Sequence, residues 1–129
     1  MAPVLGIDLG TTNSAVCVVQ GSEVRVLADA EGNVLIPSVV SFHPSGEVLV
    51  GHAARERRLL DARNTIYSIK RLIGRPFRSP EVRRAQERFP FELCPGPTEG
   101  VLVRARGETY TLPEISAFVL REVRRVAEE

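Results

Sequence analysis

Apolar and polar positions alternate with a period of two along most of residues 1 to 50, and this pattern predicts strands. "VLGIDLG" and "SAVCVVQ" flank the turn Gly10-Thr11-Thr12-Asn13, and "SEVRVLA" alternates after Gly21. "PSVVSF" is followed by the turn "HPSG" and the strand "EVLVG". From His52 the residue usage shifts. "HAARERRLLDA" and "SPEVRRAQERF" are rich in Arg, Glu, Ala and Leu and predict helices, the second capped by Ser79 with Pro80 in the first turn. "CPGPTEG" interrupts the chain, and "VLVRARGETYTL" alternates around Arg106-Gly107-Glu108 as a second hairpin.

The last segment switches to a helical period. Ile115, Phe118, Val119, Val123 and Val126 fall on one face, and Thr111 with Glu114 has capping-box spacing. Glu128 and Glu129 oppose the helix dipole at the end and no glycine follows, which predicts a helix interrupted inside a longer one. Left uncovered, its apolar face predicts self-association of the isolated chain, or disorder of residues 113 to 129.

The chain has 129 residues, of which 43% are hydrophobic, enough for a small core and too apolar for disorder. Its net charge is +1, divided as −4 over residues 1 to 50 and +5 over residues 51 to 129. The arginines at 55, 57 and 58 and at 83, 84 and 88 interleave with Glu and lack aromatic platforms, so they read as solvated helix faces rather than a nucleic-acid surface. No apolar run is long enough for a membrane span, and no signal peptide is legible at "MAPVLGIDLG". Cys17 and Cys94 form neither a CxxC motif nor a disulfide framework, which fits a reducing cytosol. Cys17 reads as a buried small hydrophobe in "AVCVV", and Cys94, beside a loop, as the more reactive of the two.

Chemistry concentrates at the opening turn. A polyphosphate needs converging backbone N–H groups and small residues that allow close approach, and Gly10, Thr11, Thr12 and Asn13 supply both. Asp8, at the end of the first strand, places a carboxylate where a magnesium ion would sit, reached through its waters. The turn is neither a P-loop nor a dinucleotide fingerprint, since GxxxxGK[ST] and GxGxxG are absent and a strand rather than a helix follows. An ordinary hairpin with Asp, Gly and Asn as turn formers accounts for the same residues. Lys70 is the only Lys among seventeen basic residues, and its compact ammonium suits a γ-phosphate better than a guanidinium fork would. It lies on a short helical turn in "NTIYSIKRLIGRPF". His43 and His52 read as surface groups, and Ser14 and Ser38 lack the partners of a serine hydrolase.

"GIDLGTTNS", "EGN" with "IPSVVSF", "NTIYSIKRLIGR" and "PEISAFVL" together resemble, in order, the ATPase domain of the DnaK-type, seventy-kilodalton heat-shock chaperones. The resemblance runs from about Val4 to the last residue. It implies an α/β, actin-like (ribonuclease H-like) ATPase fold, of which this chain is an N-terminal fragment of lobe I. Residues 1 to 37 and 113 to 129 would be part of the core subdomain, and residues 38 to 112 the peripheral subdomain.

Gly10, Thr11, Thr12 and Asn13 would form the first phosphate loop for ATP or ADP, Asp8 would lie near magnesium, and Lys70 would be the catalytic lysine. The implied parent is a cytoplasmic, ATP-dependent stress chaperone coupling hydrolysis to the binding of unfolded polypeptides, assisted by co-chaperones. This chain, lacking the second phosphate loop, is expected to be inactive alone. The alternatives are a non-catalytic interaction module and, from the same superfamily, a fragment of a sugar or carboxylate kinase. Two departures stand out: Leu35 and Ile36 occupy positions where the family has threonines, and Cys17 lies two residues beyond Ala15, where many relatives carry cysteine.

Overall fold

A computed structural model describes residues 4–29 and 31–128. β1 (Val4–Leu9) and β2 (Asn13–Gln20) form an antiparallel hairpin from Val4 opposite Val19 to Leu9 opposite Ser14. β3 (Glu23–Val26) and the short β4 (Ile36–Pro37) pair with β2, giving a four-stranded sheet. β5 (Val39–Phe42) lies at the centre of a second sheet, between β6 (Val48–Val50) and β7 (Thr65–Tyr67). The "HPSG" turn joins β5 to β6 as its composition predicts, with Gly46 N–H donating to His43 O at 2.9 Å.

The first predicted helix is much shorter than its composition promised. α1 spans His52–Arg55, a 3₁₀ turn follows over Glu56–Arg58, and Leu59 and Leu60 stand 97% and 78% exposed. Helix propensity alone does not hold a helix this short without an apolar face to bury. α2 (Pro80–Arg88) forms as expected, with Ser79 Oγ accepting from Val82 N–H, because Val82 and Ala85 give it a buried face.

The segment "CPGPTEG" is a connection within a sheet rather than a break between elements. β8 (Glu92–Pro95) pairs with β9 (Val101–Ala105), which pairs with β10 (Glu108–Thr111), so the expected hairpin is the second half of a three-stranded meander. Its two-residue turn places Arg106 and Gly107 at φ 50° and 77°, as a right-twisted hairpin demands.

α3 (Leu112–Glu128) opens with a complete capping box: Glu114 N–H donates to Thr111 Oγ1 at 3.1 Å, and Thr111 N–H to Glu114 Oε1 at 2.9 Å. Its apolar face is not exposed, which corrects the basis for expecting self-association or disorder there. Leu112, Ile115, Val119, Val123 and Val126 are buried in contacts with β1, β2, β5, β6, β9 and β10. At roughly 1.5–3 kcal/mol for each buried aliphatic side chain, this face is a main tie between the sheets. Glu129, counted in the expected helix, lies outside the described residues, as do Met1, Ala2 and Pro3 of the expected core unit.

Apart from Leu59 and Leu60, open apolar surface gathers on the first sheet, at Val4, Leu5, Ile7, Val24 and Val26. No helix among the described residues is long and apolar enough to cross a membrane.

Candidate functional site

The opening turn is built around a missing side chain. Gly10 N–H donates to Asn13 O at 3.0 Å, and a Cβ on Gly10 would fall 2.3 Å from that same oxygen. Space rather than an unusual φ therefore requires glycine here. The turn is then locked from outside by Ser38, which follows β4. Ser38 Oγ donates to Gly10 O at 2.8 Å, lies 2.9 Å from the hydroxyl of buried Ser14, and its backbone N–H donates to Thr12 O at 2.9 Å.

Lys70 reaches this turn from a distant part of the chain. It opens a 3₁₀ turn, Lys70–Leu72, held by the buried side chains of Ile69 and Leu72. Its Nζ donates to Leu9 O at 2.5 Å, one residue before the glycine. Between β7 and this turn, Ser68 adopts φ 56°, a left-handed conformation unusual for a residue with a Cβ. That reversal swings Lys70 away from the path of β7 toward the loop.

These residues surround a cavity of about 190 Å³. Gly10, Thr11, Ser14, Ser38, Ser68 and Lys70 line it, above an apolar floor that includes Ile66 and Ile115. Thr12 and Asn13 turn to an adjoining hollow with Ser38 and Arg58. Asp8 is exposed near the end of β1, opposite Ala15. The structure thus brings Lys70 together with Gly10 and Thr11, with Thr12 and Asn13 on the next wall and Asp8 two residues up the strand.

Hydroxyl-bearing residues and one ammonium line the cavity with no carboxylate, which suits a phosphate, while the Gly10 N–H is closed on Asn13 O. Among the described residues no group of three or more His, Cys, Asp or Glu side chains could hold a metal. A lone carboxylate such as Asp8 suits magnesium, which keeps most of its waters.

Ser38 carries no catalytic pattern in the sequence, and its role as the lock on the loop was not read there. The only signal is its place after Ile36-Pro37, where a strand end returns to the turn. Leu35 and Ile36 divide at the same point: Ile36 is a core residue paired with Ser14, and Leu35 is 53% exposed.

The two histidines are structural. His52 Nε2 lies 3.2 Å from Leu35 O, and His43 Nδ1 accepts from Ser45 N–H at 3.1 Å inside the β5–β6 turn. Both cysteines are free and half-buried. Cys17 faces Gly6, where a Cβ would come within 2.9 Å of its Sγ, so it fills the space that the glycine leaves. Burial pushes the Cys94 thiol up, and its Sγ–H donates to Glu92 Oε2 at 3.2 Å, adding to the shift against a smaller opposing effect of Arg104.

The family model described as Hsp70 protein matches residues 4–129. The chain belongs to the Hsp70 family, whose ATPase domains are actin-like, and the mixed α/β architecture with several sheets agrees with this. The sugar or carboxylate kinase reading gives way to that membership.

Proposed function

We propose that this chain is the N-terminal part of the ATPase domain of an ATP-dependent chaperone, of the DnaK type, and that it contributes one wall of the nucleotide site. The observation that carries the reading is the hydrogen bond from Lys70 Nζ to Leu9 O. It sets the single lysine of the chain against the glycine-threonine turn, over a cavity that both line.

In this reading the amides and hydroxyls of Gly10 to Asn13 hold phosphate oxygens, and Lys70 neutralises charge that builds on them. Asp8 orients the waters of a magnesium ion. ATP, when bound with magnesium, supplies the phosphoryl group whose transfer to water the chaperone cycle uses. Residues 38 to 112 form the peripheral subdomain that carries Lys70, and residues 1 to 37 with 113 to 129 the core subdomain of lobe I.

Unfolded polypeptides and co-chaperones are partners of the larger assembly, in a reducing, cytoplasmic setting consistent with two free cysteines. The chain alone is inactive in hydrolysis, since one phosphate loop leaves the phosphates open to water on the other side. The exposed Val4, Leu5, Ile7, Val24 and Val26 favour a second reading, a non-catalytic interaction module.

An amide-resolved NMR titration with Mg-ATP separates the two. Saturable shifts at Gly10 to Asn13 and at Lys70, lost in Lys70→Met, are expected. A well-dispersed spectrum that does not respond at those positions would leave the interaction module as the function.

A further inference from the structure

The phosphate loop has a second side. Thr11 and Thr12 also border a groove of about 660 Å³, whose other walls include Arg58, Arg71, Arg84 and Arg88. None of these four guanidinium groups forms an ion pair with a carboxylate among the described residues, and all four are exposed. Glu81, the carboxylate in the groove, is paired with Arg75 at 3.7 Å and also feels the charge of Arg84, so it offsets only part of the positive charge there.

The arrangement is built rather than incidental. Burial of Val82 and Ala85 fixes the rotation of α2, which turns Arg84 and Arg88, one helical turn apart, toward the same wall. Arg58 lies with its guanidinium carbon 3.7 Å from the centre of the Tyr67 ring. That ring is itself held edge-on by Phe89 and Phe91, at centroid distances of 5.3 and 5.5 Å. A guanidinium stacked by its face keeps the N–H groups at its rim available as donors. Four like charges converging on one groove repel one another, and an oxyanion relieves that repulsion while accepting charge-assisted hydrogen bonds.

We propose that this groove is a second phosphate site, taking inorganic phosphate between Thr11, Thr12 and the arginines. What delivers the phosphate rests on the ATPase reading: the product of hydrolysis passes from the cavity beside Lys70, around Thr11 and Thr12, to the arginines. The site itself does not depend on that reading. Phosphates of a nucleic acid share the chemistry, but the Tyr67 face on which a base would stack is occupied by Arg58.

The test is an NMR titration of the 129-residue chain with sodium phosphate at constant ionic strength set by chloride. Saturable shifts are expected at Thr11, Thr12, Ser68, Arg84 and Arg88. The doubly substituted Arg84→Gln/Arg88→Gln chain, altered only at exposed helix positions, should remain folded and bind about tenfold more weakly, as expected for the loss of charge-assisted hydrogen bonds.

Lys70→Met should lose the Mg-ATP response and keep the phosphate response. A groove that responds in a chain blind to Mg-ATP would sustain the site and overturn the nucleotide reading alone. Shifts confined to Gly10 to Asn13 and Lys70, or affinity unchanged in the double variant, would overturn the proposal. So would tighter, length-dependent binding of a thymidine oligonucleotide at the same arginines.

Discussion

Lys70 and Leu9 are sixty-one residues apart in sequence and joined by a hydrogen bond from the ammonium to the backbone carbonyl. The bond attaches the 3₁₀ turn after β7 to the last residue of β1, and so holds a positive charge at the mouth of the Gly10 turn. Replacing Lys70 with Met keeps most of the apolar stem and removes the charge. The expected outcome is loss of the Mg-ATP response with a change in folding stability within about 1 kcal/mol, read by urea denaturation.

Gly10 is required for a different reason. An alanine Cβ would sit 2.3 Å from Asn13 O, so the turn would have to open and the Gly10–Asn13 hydrogen bond would be lost. Gly10→Ala is expected to destabilise the chain by about 2 kcal/mol or more, and to abolish the loop response to Mg-ATP. Gly21 offers a control: with φ 64° and nothing near its missing Cβ, an asparagine there should be tolerated and leave the loop response unchanged.

Ser38→Ala removes the donor to Gly10 O and the partner of the Ser14 hydroxyl, leaving that buried oxygen unpaired. A loss of about 1–2 kcal/mol is expected. Hydrogen exchange at the Gly10 amide should quicken more than exchange in β9, which does not touch the lock.

Cys94 should resist alkylation near neutral pH. Its thiol is shifted upward first by burial and then by Glu92, so the thiolate becomes abundant only above the ordinary cysteine range of about 8.5. Glu92→Gln removes part of that shift, and the iodoacetamide rate at Cys94 should rise at pH 8. An unaltered rate would show that Glu92 does not hold the thiol. For stability the sign follows from the raised value. The folded chain retains the proton above the pH at which an unfolded cysteine loses it, so any contribution from Cys94 is fully present below that pH and disappears as pH rises through the folded value.

The legible parts of this protein were those whose cause is local. The hairpin around Gly10, the "HPSG" turn, the Ser79 cap and the Thr111–Glu114 capping box each depend on residues within a few positions of one another, and each forms as its spacing indicates. The family signature in "NTIYSIKRLIGR" was equally readable, because it lies in one continuous run.

What the sequence could not reveal depends on contacts between distant segments. The helix expected over "HAARERRLLDA" stops at Arg55, since Leu59 and Leu60 find no surface to bury against. The final helix appeared to need an external partner, and its apolar stripe is covered by strands of this same chain. Ser38 and Arg58 look like ordinary surface residues until folding sets one on the Gly10 turn and the other on Tyr67. Local spacing decides turns and caps because their hydrogen bonds close within one or two turns of chain. Which side chains face a shared groove is decided only when burial of the core brings the Gly10 turn, β7 and α2 around it.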